Sequence, residues 1–309
     1  MVNKENTENK QINQFAIDNN IAGLTVISTK AVFNNEPGYT VEKAKRFLVF
    51  QDRINKDLLK HPIITDNHYT RWFEEGEINQ PQIQDFIVQF SVFSNLFLIA
   101  QLKKMINADS LEGMRASKEI LANEIGVIFK ASKNTDVNDK QTEYEKEFVS
   151  AEGTIEGGTF RFRAAHFEWL LNMAEKLDLG YNDVGKRSHG YKSTLFFCDE
   201  LSRIYGNEDY MISQAASYAV ENWAAAGFWD ELVRGFEKYN SKTKNKLPIA
   251  FFIYHAKIEA QHAAHTQEEL EELYFDREID EEKFIKYGNE MLEGVSAFWT
   301  GLNEHRQKL

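Results

Sequence analysis

Three residues in the last quarter of the chain have the types and spacing of a metal site. They are His255, Glu259 and His262, in the segment Phe251-Phe-Ile-Tyr-His-Ala-Lys-Ile-Glu-Ala-Gln-His262. On a helix, positions i, i+4 and i+7 fall at about 0°, 40° and −20°, so the three side chains share one stripe. Two imidazoles and a carboxylate form a suitable set for iron, manganese or zinc. The apolar residues before His255 indicate that the stripe faces the protein interior.

A structural explanation of this stripe stays open, because a helix in a large protein can carry His, Glu and His at this spacing by chance. The zinc-protease pattern His-Glu-x-x-His does not occur in the sequence. A ferritin-like site needs two Glu-x-x-His motifs on separate helices, and only Glu259-Ala-Gln-His262 is present. The stripe therefore predicts a metal site of another kind or a polar seam in the core.

Further metal ligands would have to come from other helices, because one helix face cannot hold two metal ions. Glu124, His166 and Glu221 each stand within an otherwise apolar helical stretch. Burial of a carboxylate is costly unless it is paired or bound to metal. Taken singly, each of the three is explained by a hydrogen bond in the core. Together they supply the three ligands that a second metal ion would require.

The elements that position these residues are predicted to be helices throughout, which makes the fold all-α. The chain has only four prolines and none between Pro81 and Pro248, which favours long helices. Apolar residues recur at three- and four-residue spacing. This pattern predicts helices from about Thr40, over Asp66–Glu75, from Pro81, and over Ser110–Phe129, Phe160–Leu179, Ser193–Ile204, Asp209–Tyr239, Ile249–Phe275 and Glu281–His305.

Two polar segments interrupt the helical pattern. Residues 1 to about 36 form a polar N-terminal extension, in which Ile21–Ser28 is predicted to be a short strand or an extended segment. Residues from about 130 to 158 form a polar insertion between two helices. No shift in composition places a domain boundary, so a single domain over residues 1–309 is predicted.

The composition argues against several classes of protein. A formal net charge of −12 disfavours nucleic acid and anionic membrane surfaces, which need clustered Lys and Arg. A single cysteine, Cys198, allows neither an internal disulfide nor a Cys-based zinc site. No apolar run reaches about 18 residues, and residues 1–19 lack the apolar core of a signal peptide. We therefore expect a cytoplasmic protein.

The order of these residues resembles that of the haem-oxygenase-like dimetal oxidases. The similarity covers about residues 55 to 275. It includes the segment Leu58-Leu-Lys-His61-Pro62, which is similar to the start of that fold. The residues that carry it are Glu124 with Gly126, His166 followed by Leu170 and Leu171, Glu221, and the final motif of His255, Glu259 and His262.

The resemblance implies a bundle of about seven core helices that binds two irons instead of haem. Carried over by position, the metal ligands would be Glu124, His166, Glu221, His255, Glu259 and His262, and the three carboxylates would also take part in catalysis. The chain departs from the family in having Glu259 where Asp is frequent. A long gap also separates Glu124 from His166, and Glu168 is an alternative to His166.

The implied activity is that of an O2-dependent, non-haem diiron oxidoreductase. Its cofactors would be two Fe(II) ions, with manganese as an option at one position, and O2 would be a co-substrate. The expected substrate is a small molecule, an amino acid or a derivative, that undergoes N-oxygenation, C–C cleavage, or ring or nitrile formation. Arg161, Arg163 and Lys257 are candidate partners for its carboxylate, or are surface charges. Oxidative decarboxylation of a fatty acid is an alternative, and a homodimer is expected from the resemblance alone.

Three other functions compete with this one. A thiaminase-like hydrolase of the same fold would use a nucleophilic cysteine without metal, and Cys198 is the sole candidate. A helical binding protein would keep the polar stripe for structural reasons. A haem protein would need an early proximal histidine, for which His61 is the plausible residue, and would leave the later ligands unexplained. The presence and kind of metal distinguishes these alternatives.

Overall fold

A computed structural model of the chain describes residues 2–125 and 165–309, apart from the side chains of residues 2–7, 112, 123, 165 and 258–265. Every regular element in the two described ranges is a helix, so the all-α prediction is confirmed. The predicted insertion at 130–158 lies outside the described residues.

The described ranges contain thirteen α-helices. The α-helices are α1 (Val2–Asp18), α2 (Val26–Phe33), α3 (Val41–Asp57), α4 (Pro62–Thr65), α5 (His68–Glu74), α6 (Gln80–Ile106), α7 (Leu111–Glu124), α8 (Ala165–Glu175), α9 (Lys192–Glu200), α10 (Tyr210–Ala224), α11 (Phe228–Lys242), α12 (Ala250–Asp276) and α13 (Glu281–His305). A π-helical turn, Leu201–Tyr205, extends α9.

The N-terminal extension contains helices, so the prediction of a strand at Ile21–Ser28 was wrong. The chain turns after Asn20 and enters α2 at Val26, where the Thr25 hydroxyl caps the helix by accepting a bond from the Ser28 N–H. Ile21 is fully buried against the core. A short apolar run is compatible both with the two-residue period of a strand and with the 3.6-residue period of a helix. In this case the capping threonine and the packing favour the helix.

The predicted helix over Asp209–Tyr239 is two helices. The chain breaks between α10 and α11 at Gly227, whose φ is +97°, a left-handed conformation that glycine adopts without steric strain. The break turns α11 away from α10. As a result, α10 packs against α12 and α13, while α11 packs against α5 and α12.

Helix α6 passes through the core and packs against α7, α8 and α9. Pro81 stands in the first turn of the helix, as the sequence predicted, and a capping box of Asn79 and Gln82 starts it. Its buried phenylalanines, Phe86 and Phe90, contact Phe252 of α12. By length and composition α6 is also apolar enough to cross a membrane, and half of its most apolar stretch is buried within the protein.

A buried carboxylate ties the N-terminal helices to α12. Glu271 is fully buried and accepts two bonds from the Thr25 N–H, at 3.0 and 3.1 Å, and one from the Thr25 hydroxyl at 2.6 Å. Gln267, one turn earlier on α12, donates a further bond of 3.2 Å. Because Thr25 is the N-cap of α2, the carboxylate also faces the positive end of that helix dipole.

We predict that Glu271→Ala lowers the free energy of unfolding by about 1–3 kcal/mol, because the substitution leaves the partly buried N–H and hydroxyl of Thr25 without this acceptor. Urea denaturation followed by circular dichroism measures the change. Glu272→Ala is the matched control, since Glu272 is the exposed neighbour on the same helix and should change stability by less than about 0.5 kcal/mol. Equal effects of the two substitutions would contradict the docking role of Glu271.

Candidate metal centre

A cavity of about 90 Å³ lies between the core helices. A buried water molecule needs about 10–15 Å³ on this scale, so the cavity can hold metal ions together with a small ligand. Most of its wall is aromatic or aliphatic. Its described polar lining residues are Ser94, Gln101, Glu124, His166, Glu221, Tyr254 and His255, and its apolar ones are Phe90, Phe93, Phe97, Ile120, Val220, Trp223, Ala224, Trp229 and Phe251.

Three of the predicted ligands meet in this cavity. Glu124 ends α7, His166 stands in the first turn of α8, and His255 lies in the second turn of α12. One potential ligand atom from each lies within 4.8 Å of the other two. Glu124 Oε2 and His166 Nδ1 are 2.7 Å apart. Both histidines are buried, and the side chain of Glu124 is 16% exposed.

The ring of His255 is held in one orientation and one tautomer. Its Nδ1 lies 2.8 Å from the Phe251 carbonyl oxygen, which can only accept, so Nδ1 carries the proton. The basic lone pair is therefore on Nε2. A bond from the second ring nitrogen to a carbonyl is the usual support of a metal-binding histidine. The indole of Trp229 stacks on the ring, with centroids 4.5 Å apart.

The remaining predicted ligands stand in different positions relative to the triad. Glu221 on α10 lines the same cavity. Glu259 and His262 occupy α12 one and two turns after His255, which puts these positions on one stripe of a continuous helix. Their side chains lie outside the described part of the structure. Glu168, the alternative to His166, is not among the described lining residues.

The donor set fits a divalent metal ion of the first transition row. It offers carboxylate oxygen and neutral imidazole nitrogen, which suit iron, manganese and zinc. Ligands about 2.1 Å from one ion lie roughly 3–4 Å from one another, so small side-chain movements would close the triad around an ion. The aromatic surroundings would otherwise leave a buried carboxylate poorly solvated, which favours a cation at this point.

Sequence reasoning missed part of the cavity wall. Helical spacing turns Tyr254 about 100° away from His255, which would direct it away from the site. Its ring nevertheless lines the cavity, with its centroid 5.9 Å from that of His166 and 5.5 Å from that of Trp169. Helix α8 packs on that flank of α12, so two faces of α12 border the cavity. Gln101 was also missed. It lies four residues after Phe97, on the apolar stripe of α6, and a polar residue on such a stripe could have identified it as a candidate.

Of the three candidate partners for a substrate carboxylate, Lys257 lies within the described residues, and it is not among the described residues that line the cavity. Lys257 is exposed, in agreement with its interpretation as a surface charge. Arg161 and Arg163 lie outside the described residues.

The haem and cysteine alternatives find no support at this cavity. His61 caps α4, where its Nδ1 accepts from the Ile63 N–H at 3.3 Å and its Nε2 donates to Glu293 at 3.3 Å. Cys198 is buried in α9, is not one of the described lining residues, and has a thiol pKa raised to about 12 by burial and then by the Asp199 carboxylate. Such a thiol is scarcely ionised near neutral pH.

No protein-family model matches the chain, and no curated protein is similar enough to it to count as a relative.

We predict that Cys198 in the folded protein reacts with a thiol reagent at pH 8 at least about 100-fold more slowly than in urea, because the raised pKa and the burial remove the thiolate. The measurement is the rate of colour formation with a disulfide reagent, and the denatured chain provides the control for one thiol per chain. Fast reaction in the folded protein would restore Cys198 as a candidate nucleophile.

Proposed function

We propose that this chain is a haem-oxygenase-like dimetal oxidase that holds two Fe(II) ions in the cavity and activates O2 to oxidise a small molecule. The observation that carries the proposal is the convergence of Glu124, His166 and His255, three potential ligands from three helices, within 4.8 Å of one another. Glu221 borders the same space from a fourth helix. Chance placement of one polar residue in a core is common, and convergence of three residues with matched ligand chemistry supports a metal-binding function.

The six residues proposed to hold the metal ions are those of the sequence hypothesis. Glu124, His166 and His255 are brought together, Glu221 lines the same cavity, and Glu259 and His262 follow His255 on α12. Two ferrous ions held by these residues would supply the electrons for the reduction of O2. The absence of thiolate ligands agrees with iron or manganese and with an O2-dependent reaction.

The protein's own contribution is orientation and exclusion of water. The Phe251 carbonyl holds the proton on His255 Nδ1 and so presents Nε2 to the cavity. The rings of Trp229 and Phe251 pack against that imidazole, with centroids 4.5 and 4.3 Å away. These aromatic contacts keep bulk water from the reacting centre, which protects reactive oxygen species from premature hydrolysis or release.

The proposed substrate is a small amino acid or a derivative, and a fatty acid is the alternative within the same reaction class. The predominantly apolar wall, with Phe90, Phe93 and Val220, suits the hydrocarbon part of either molecule. Its small volume argues for a compact substrate or for one that reaches the cavity with only one end.

We predict that the wild-type protein, loaded anaerobically with Fe(II), retains two irons per chain after desalting and consumes O2 when exposed to air. His255→Ala should lower iron affinity by at least about tenfold, because it removes a buried nitrogen donor. Glu221→Ala should lower O2 consumption to the rate of free Fe(II). A colorimetric iron assay and an oxygen electrode give the two readouts.

His68→Ala provides the control for this experiment, since the His68 side chain is 72% exposed and distant in sequence from every proposed ligand. It should retain iron and O2 consumption at the wild-type level. If well-folded wild-type protein binds no iron above background, the polar residues are structural and a binding protein becomes the better hypothesis. Circular dichroism of each variant separates loss of metal from loss of fold.

A further inference from the structure

Four buried polar residues lie together at the side of the cavity formed by α6 and α10. Gln101 and Lys104 are one turn apart on α6, Tyr205 ends the π-helical turn, and Ser217 stands one turn before Glu221 on α10. Gln101 and Tyr205 are fully buried, and Lys104 and Ser217 are 8% and 3% exposed. Gln101 also lines the cavity that contains the proposed metal ligands.

The hydrogen-bonding capacity of this cluster is only partly used. Among the described residues, the amide nitrogen and the amide oxygen of Gln101 and the hydroxyl of Tyr205 make no hydrogen bond of normal geometry. The Tyr205 hydroxyl does interact with the Ser217 hydroxyl and the Gln101 amide, so these groups satisfy one another in part. An amide offers two hydrogens and two lone pairs, so the Gln101 amide, which lines the cavity, keeps capacity for a ligand.

Lys104 adds a positive charge to the cluster. Its ammonium donates one bond of 2.5 Å to the Ser217 hydroxyl and lies 4.7 Å from the centre of the Tyr205 ring. An ammonium has three hydrogens to donate, so two remain. No ion pair joins Lys104 to a carboxylate within the described residues, although Glu269 and Glu221 are close enough to act on it electrostatically. A buried cation without a contacting anion is costly, and an anionic ligand removes that cost.

We propose that Gln101, Lys104 and Tyr205 form a subsite for the carboxylate of the substrate. The carboxylate would accept from the Gln101 amide N–H, the Tyr205 hydroxyl and the Lys104 ammonium, three charge-assisted or neutral bonds of ordinary strength. The hydrocarbon part would then lie along Phe97 and Phe93 towards Glu124 and His166. The inference rests on the proposed function and adds which residues hold the carboxylate of the substrate.

Two kinds of substrate share this chemistry, a fatty acid and an amino acid. The amide oxygen of Gln101 is an acceptor beside the proposed carboxylate position, and an α-ammonium group could donate to it. Hexanoate and 2-aminohexanoate have equal chain lengths and differ only in that group. Hexan-1-ol keeps the chain and lacks the carboxylate.

The test is isothermal titration of the full-length protein with these three probes, in the metal-free form prepared with a chelator and in the Fe(II) form kept anaerobic. We expect at least one of the two carboxylates to bind and hexan-1-ol to bind at least about tenfold more weakly. Lys104→Met and Gln101→Leu should each weaken carboxylate binding by at least about tenfold. Tighter binding of 2-aminohexanoate would identify the amino acid as the source of the carboxylate, and tighter binding of hexanoate the fatty acid.

Lys103→Met is the matched control, because Lys103 is the exposed neighbour and its replacement removes the same charge. It should leave binding unchanged. Lys104→Met removes the donor to the buried Ser217 hydroxyl, so its stability has to be measured together with its binding, and Gln101→Leu provides a second variant that keeps Lys104. A urea unfolding curve of each variant verifies that it is folded.

Three results would overturn the subsite. They are no carboxylate binding in either form, equal affinity in Lys104→Met and wild type, and binding that requires iron and is insensitive to Lys104 and Gln101. The last would mean that the carboxylate binds at the metal instead. Failure of the proposed function is a separate outcome, because iron content is measured on the same preparations and the binding in the metal-free form does not depend on it.

Discussion

The desolvation of polar side chains within an aromatic core is the constraint on which this molecule depends. Glu124, His166 and His255 lie where rings such as Trp229 and Phe251 replace water. Burial of a carboxylate or an imidazole in such surroundings is unfavourable unless its polar atoms have partners. The packing of the rest of the protein must offset the remaining cost of burial. The 2.7 Å contact between Glu124 and His166 and the bond from His255 to the Phe251 carbonyl are the visible answers to that need. The convergence of one ligand atom from each of the three within 4.8 Å is the reason that we propose a cation at this point.

An all-helical core allows such pairing of polar side chains, because each helix forms the hydrogen bonds of its own backbone N–H and C=O groups. Each helix that borders the cavity can therefore present a single polar side chain without exposing peptide groups to the apolar interior. Helix α6 provides three phenylalanines of the aromatic wall, while α7, α8 and α10 each provide one polar residue and α12 provides two. The break at Gly227 lets α11 bring Trp229 onto His255. A straight helix from Asp209 to Tyr239 would continue along the line of α10 instead of turning at that point.

Distant parts of the chain hold the bordering helices in place. Glu271 near the end of α12 binds the N-cap of α2, so the N-terminal extension is attached to the helix that carries His255. On the opposite side of the cavity, the ammonium of Lys104 on α6 binds Ser217 on α10. Both contacts use a buried charge and a hydroxyl, which are directional and therefore limit how the helices can slide past one another. The Lys104 ammonium uses one of its three hydrogens in its contact with Ser217, so the other two remain for a ligand.

The sequence by itself determined the all-α class, the limits of α13 and the start of α6, because helical periodicity and capping residues act within a few neighbours along the chain. It also singled out Glu124, His166, Glu221 and His255, since a polar residue in an apolar helical stretch is visible without coordinates. Only the tertiary structure decided that three of these residues meet, because the Glu124–His166 contact spans 42 positions and depends on how α7 and α8 pack. The same is true of Tyr254 and Gln101, whose roles depend on which neighbouring helix covers each flank, a property of packing that no local pattern encodes.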